Sequence, residues 1–175
     1  MIPSSRIAPL VLMAALMTPA HAASTAKEAV NAATAAAQKW QPDAVLTHVS
    51  TLFGRGDGKA DQWLYAYYSP KAKKSAIVTA RDKKIEVDAD VRNTSTDPVG
   101  AEFLDSDKAV AAAAKSGLKF AKADKLGLGL TVGNQALGKP SLFWSVLVTS
   151  DSGFSGVTLN GRDGAFIKRD DVKFK

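Results

Sequence analysis

The stretch that decides the fold is Gln62-Trp63-Leu64-Tyr65-Ala66-Tyr67-Tyr68-Ser69, in which aromatic side chains recur at every second position. Successive side chains of a β-strand point to opposite faces, so Trp63, Tyr65 and Tyr67 share one face. Alternation of this kind, with aromatic residues of high strand propensity, predicts a β-strand. Both faces are fairly apolar, which predicts that the second face is also covered, by another part of the chain, a partner or a ligand.

The sequence on either side of this stretch predicts a helix followed by an antiparallel meander. Thr25 and Glu28 fit a capping box at the start of an alanine-rich helix that continues to about Lys39. Short segments rich in glycine, proline and charged residues separate four runs with strand character. The predicted strands of this half are 44–53, 62–69, 75–80 and 84–91.

A second stretch, Trp144-Ser145-Val146-Leu147-Val148-Thr149-Ser150, follows the same pattern as the first. Trp63 and Trp144 each precede an Arg-Asp pair by 18 residues, and the strand around each of them ends in a serine and a turn. An alanine-rich helix, predicted over 107–115, is capped by Asp105-Ser106 and closed by Gly117. Order, spacing and residue type predict an internal duplication.

We therefore expect an α+β fold of two tandem α-β-β-β units, each a helix packed on an antiparallel sheet. The first unit would span residues 23–92 and the second 104–175, with 93–103 as a polar linker.

The second half resembles a PepSY domain over residues 104–113, Phe143 to Val148, and 157–168. The first half is similar to the same family more loosely, through Trp63 and Arg81-Asp82. The resemblance implies a cystatin-like unit without catalytic residues. It also implies a small module of exported bacterial proteins, which inhibits peptidases or regulates by binding.

Residues 1–22 have the three parts of a cleavable secretory signal peptide. Arg6 supplies the positive charge, and Ile7 to Met17 form an apolar run. This run is too short to span a bilayer, which needs about 20 apolar residues. Ala20 and Ala22 fit the cleavage site, and Ala23 would begin the mature protein. We expect a periplasmic or secreted protein without a transmembrane anchor.

The chain contains no cysteine, so we expect neither the acylated cysteine of a bacterial lipoprotein nor a disulfide. Its net charge of +6 favours anionic partners such as envelope polymers or an acidic protein. Nucleic acid is not an expected partner after export. The clustered lysines have a second interpretation, because lysine in hairpin loops also protects sheet edges and keeps a protein soluble.

No residue pattern in the chain points strongly to catalysis or to a metal. His48 is the single histidine of the mature part, and a metal site built on histidine needs more ligands. A general base at His48 stays open, but no Gly-x-Ser-x-Gly elbow accompanies it. Asp57-Gly58 and Asp163-Gly164 lack the later ligands of a calcium loop and predict hairpin turns. We expect no catalytic residue, no metal and no cofactor.

The candidate binding residues are the aromatic cluster of the first half and the lysines that follow it. Tyrosine and tryptophan are favoured at binding surfaces because they bury a large area with few rotors. For Trp63 the alternative is a place in the core under the helix, as its counterpart Trp144 suggests. The predicted set is Trp63, Tyr65, Tyr67, Tyr68, Lys71, Lys73 and Lys74.

The sequence leaves three functions open. The leading hypothesis is an exported, non-enzymatic binding or regulatory module of the bacterial envelope that inhibits a peptidase or modulates a protein partner. One alternative is a small periplasmic hydrolase acting on peptide or cell-wall material. The other is a structural accessory protein at the outer membrane, held there by its basic loops.

Overall fold

The computed structural model describes residues 23–92, 95–121, 124–134 and 140–174. Within these ranges the first half of the chain forms α1 (Ala26–Trp40), β1 (Val45–Gly54), β2 (Gln62–Ser69), β3 (Lys74–Arg81) and β4 (Lys84–Val91). The second half forms α2 (Ser106–Lys115), β5 (Leu126–Asn134), β6 (Pro140–Ser150), β7 (Gly153–Asn160) and β8 (Phe166–Lys173).

These eight strands belong to one antiparallel sheet with the order β4-β3-β2-β1-β5-β6-β7-β8. The prediction of two tandem α-β-β-β units, each a helix on its own sheet, is therefore wrong. The first strands of the two halves pair directly, with Val49 opposite Leu130 and Ser50 opposite Gly129. Pairing satisfies backbone groups that would otherwise lie exposed at two sheet edges. The predicted boundary at 93–103 and the common origin of the halves stay predictions.

The local elements lie where the sequence predicts them, apart from small shifts at their ends. The exception is the last strand, β8, for which the sequence predicts only the short apolar run 165–168, whereas the strand continues to Lys173. The middle of β8 is Arg169-Asp170-Asp171, which lacks the apolar alternation of a strand with one buried face. As an edge strand exposed on both faces, β8 needs no such alternation.

Both helices pack on one face of the sheet, which we call the helix face. Trp63 and Trp144 lie on it and have no exposed surface. The Trp63 indole Nε1 donates to the carbonyl of Ser24 at 2.9 Å, and the Trp144 Nε1 donates to the carbonyl of Leu104 at 2.8 Å. Each carbonyl belongs to the residue just before a helix cap, so each indole ties the start of one helix to the sheet.

The N-termini of the two helices meet and share one capping carboxylate. Thr25 caps α1 and Asp105 caps α2. The Thr25 hydroxyl donates to Asp105 Oδ2 at 2.8 Å, and the Lys27 amide donates to Asp105 Oδ1 at 3.0 Å. The Ala26 amide donates to the hydroxyl of Ser106 at 3.0 Å. The first turn of α1 is therefore satisfied partly by side chains of α2.

Gly58 closes this junction from the β1–β2 connection. Its carbonyl accepts the Ser106 hydroxyl at 2.6 Å. Its φ of +78° lies in the left-handed region, and a Cβ added there would come within 2.4 Å of the Asp107 Cα. Only glycine satisfies both the backbone conformation and the close approach of α2.

We expect Gly58→Ala to destabilise the fold far more than Gly100→Ala. Gly100 has the same φ of +78° but open space around it, so its substitution isolates the conformational cost. That cost should be about 1–2 kcal/mol. Gly58→Ala adds a collision with the α2 backbone and should lower the free energy of unfolding by about 3–5 kcal/mol. Urea denaturation followed by tryptophan fluorescence measures both, and equal losses would contradict the described junction.

Candidate binding face of the sheet

The sheet face opposite the helices is the candidate functional surface, and we call it the open face. The strand register assigns residues to it, because directly paired residues share a face. The four central strands of the sheet are β2, β1, β5 and β6. In the described part of the chain, the side chains that these strands turn to the open face are uncharged or belong to His48. Prominent among them are Leu64, Ala66, His48, Ser50, Thr131, Phe143, Ser145 and Leu147.

The open face combines shielded side chains with exposed apolar ones. Phe143 is 8% exposed, whereas Leu147 is 39% exposed. Leu147 lies over Gly156, where an added Cβ would come within 2.4 Å of the Leu147 Cδ2. Beside it, a groove of about 340 Å³ includes Phe154 and Thr158 in its lining. Small residues thus give this face of the sheet an uneven surface with a groove.

Charged side chains on this face belong to the outer strands β3, β4 and β8. On β3 the charged residue is Arg81, at the end of the strand, which pairs with Gln62 of β2. On β4 they are Lys84, Glu86 and Asp88, which pair across to residues of β3. On β8 they are Lys168 and Asp170, which form an ion pair at 2.9 Å. An uncharged centre with aromatic residues and a charged rim is the usual anatomy of a protein–protein interface.

His48 lies near the middle of the open face, paired with Ala66 on β2 and Thr131 on β5. Burial lowers its pKa below the usual value of 6.5, so the ring is neutral at pH 7. Within the described residues, no hydrogen bond joins His48 to a serine or a carboxylate. A catalytic base normally has a group that orients it, and these residues do not supply one.

Three of the predicted binding residues lie in the core on the helix face. Trp63, Tyr65 and Tyr67 have no exposed surface. The Tyr65 hydroxyl donates to the Ala26 carbonyl at 2.7 Å, and the Tyr67 hydroxyl lies 2.9 Å from the Thr34 hydroxyl. Burial raises the pKa of Tyr67 to about 12 and that of Tyr65 further. These side chains hold α1 on the sheet.

The other four predicted residues lie at the surface. Tyr68 is half-buried and pairs with Ser75 on the open face. Lys71, Lys73 and Lys74 are exposed in and beside the β2–β3 turn. Lys74 forms an ion pair with Asp90 at 2.7 Å. The predicted set is thus divided between the core and one end of the sheet, and its role in binding stays a prediction.

The central residues of the open face were not singled out from the sequence. Ser50, Thr131 and Ser145 are ordinary strand residues without a motif. Strand alternation separates the two faces, but the side on which the helices pack is a tertiary property. The usable signal is the glycine series Gly127, Gly129 and Gly133, which leaves Thr131 as the side chain on that face of β5.

Two further sequence predictions concern export and metal binding. Ala23 begins the described part of the chain, while Ala20 and Ala22 of the expected cleavage site lie outside it. Among the described residues, no group of histidine, aspartate and glutamate side chains is arranged to hold a metal ion. The helices of these residues are too short or too polar to cross a membrane.

Comparison with solved structures shows which proteins share this fold. The chain is similar to a candidate lipoprotein of Clostridium difficile 630, with 12% sequence identity and a TM-score of 0.53. The match covers 82% of this chain and 92% of that chain. At this identity the similarity shows the fold alone.

Comparisons with known protein families and with curated protein sequences found no match. The resemblance to PepSY domains is therefore not confirmed.

The lowered pKa of His48 predicts a loss of stability in mild acid. Above about pH 7 the ring is neutral in the folded and the unfolded chain, so it has no effect on stability. As the pH falls below about 6.5, the unfolded chain binds a proton before the folded chain does. The free energy of unfolding therefore falls as the pH decreases, until the pH reaches the lowered pKa of His48 in the folded state.

We therefore expect the free energy of unfolding to fall more between pH 7 and pH 5 in the wild type than in His48→Gln. Denaturant titrations at a series of pH values measure the difference. Parallel pH profiles would show that His48 titrates normally in the folded protein.

Proposed function

We propose that this protein is an exported, non-enzymatic binding module of the cell envelope, which holds a protein partner on the open face of its sheet. The observation that carries this proposal is the distribution of charge on that face. The side chains around Ser145, Thr131 and Phe143 are uncharged, and the charges belong to β4, to β8 and to Arg81 at the end of β3. Partner surfaces in protein complexes are depleted of charge at their centre in the same way.

The size of the open face agrees with a protein partner. Strands lie about 4.8 Å apart and rise about 3.3 Å per residue, so eight strands of about eight residues give a projected area of about 900 Å². A typical stable complex buries about 800 Å² on each partner. A single protein domain can therefore cover this face, whereas a small ligand would leave most of it exposed.

Export and an envelope location rest on two supports. Residues 1–22 have the order of charge, apolar run and cleavage site that defines a secretory signal peptide. The similar fold of a candidate lipoprotein is compatible with an envelope-associated protein. Peptidase inhibition is one form that such binding would take, since an inhibitor needs a large complementary surface and no catalytic group of its own.

A hydrolase function is less well supported. His48 is the mature chain's single histidine, and its environment raises the cost of charging the ring. A general base must accept a proton during the reaction, so this environment works against the role.

The experiment places a charge at the centre of the open face. We expect Ser145→Arg to weaken binding of the partner at least about tenfold, because an unpaired arginine would be desolvated at the interface. The tagged, exported protein first captures its partner from envelope extract, and calorimetry with the purified partner then gives Kd. Ser152→Arg is the matched control, because Ser152 lies in the exposed β6–β7 turn.

Two outcomes would contradict the proposal. One is a partner that binds Ser145→Arg and Ser152→Arg with equal affinity. The other is a wild-type dimer that Ser145→Arg converts to a monomer in sedimentation analysis, since the open face would then be covered by a second copy of the chain. Equal free energies of unfolding for the two variants verify that any loss of binding is local.

A further inference from the structure

A cleft on the helix side of the sheet is separate from the open face. It lies between the N-terminal half of α1 and the β3–β4 hairpin, and its volume is about 520 Å³. Ala29 and Ala32 of α1 line one wall, and Ala80 and Ile85 of the hairpin line the other. Small alanine side chains leave this space between helix and sheet, so the interior of the cleft is largely apolar.

Positively charged side chains border the cleft. They belong to Lys59 and Lys83, whereas Arg81 lines the cleft but pairs with Gln62 and Lys84, which places its side chain on the open face. In the part of the chain that the structure describes, neither Lys59 nor Lys83 forms an ion pair. The Arg81 side chain donates a hydrogen bond to the side-chain carbonyl of Gln62.

The acidic side chains at the cleft are already engaged by other groups. Asp61 accepts two hydrogen bonds from Arg55, at 2.6 and 2.8 Å. Glu28 Oε2 accepts the amide of Thr25 at 2.6 Å in the capping box of α1. Asp82 has an interaction of its own as well. Lys59 and Lys83 are therefore the cationic side chains that the cleft offers to a ligand.

The expected start of the mature chain lies at the same cleft. Ala23 and Ser24 line it, and Ser24 is fixed by two backbone hydrogen bonds to Ala60, at 3.0 and 2.9 Å. Removal of the leader, which belongs to the proposed function, would leave the α-ammonium group of Ala23 beside the two lysines. Processing would thus increase the positive charge at the cleft.

We propose that this cleft binds a small organic acid with an apolar chain, with its carboxylate held by Lys59 and Lys83 and its chain along the alanines of α1. Binding sites for small molecules combine apolar walls with polar groups that fix orientation. In this cleft the walls are alanines and Ile85, and charged residues lie at the border. A ligand with the apolar chain but no carboxylate would leave the ammonium groups of Lys59 and Lys83 without a partner. A free inorganic anion would leave the apolar walls in contact with water.

The test uses octanoate as the probe and octan-1-ol as its uncharged counterpart. We expect octanoate to bind the exported protein saturably in calorimetry, more tightly than octan-1-ol, and more weakly as salt is added. Lys59→Gln and Lys83→Gln should each weaken octanoate binding about two- to fivefold, as for partly exposed ion pairs. Lys71→Gln is the control, because Lys71 is exposed at the opposite end of the sheet.

The proposal is overturned if octanoate fails to bind, if octan-1-ol binds equally well, or if Lys71→Gln has the same effect as the cleft variants. Chemical shift changes confined to residues that do not line the cleft would also overturn it, because they would place the probe elsewhere. Free energies of unfolding for the lysine variants separate loss of binding from loss of fold. Ser145→Arg should leave octanoate binding unchanged, so failure at the open face and failure at the cleft are distinguishable.

Discussion

The fold depends on the carboxylate of Asp105, which lies between the N-termini of two helices. Both termini carry the partial positive charge of the helix dipole, and they would repel each other without an anion between them. Asp105 accepts the hydroxyl of Thr25 and backbone amides of both helices. This one side chain therefore caps its own helix and fixes the position of the other.

The consequence for the sheet follows through the two buried tryptophans. Trp63 binds the carbonyl just before the cap of α1, and Trp144 binds the carbonyl just before the cap of α2. Because the helix starts are joined to each other and to the same sheet face, both helices cover one side of the eight strands. Neither α1 nor α2 covers the opposite side. The junction at Asp105 thus determines which face of the sheet these helices leave uncovered.

Much of the local structure could be predicted from the sequence. The capping box of Thr25 and Glu28 forms as expected, and the alternation around Trp63 marks a strand. The pairing of β1 with β5 could not be predicted, because it joins residues about 80 positions apart without a local pattern. Asp105 was recognised as the cap of α2, but its contacts with Thr25 and Lys27 are tertiary. The burial of Tyr65 and Tyr67 could not be predicted for the same reason, because it depends on where α1 packs.

The position of the helices on the sheet is set by tertiary contacts, and this also explains why no sequence pattern marks the open face. The proposed binding surface, with serine, threonine and glycine on regular strands, differs from an ordinary solvated face only in what surrounds it. Charges on the outer strands discourage edge-to-edge aggregation and also frame the uncharged centre. One arrangement can therefore serve solubility and recognition together.

Photo-crosslinking in living cells tests the central claim most directly. A photoreactive residue is placed at Thr131 on the open face, and in a second variant at Asn31, which is exposed on α1. Our account predicts one adduct with a different envelope protein from Thr131 and none with that protein from Asn31. The same adduct from Asn31 alone, or an adduct between two copies of this chain from Thr131, would contradict it.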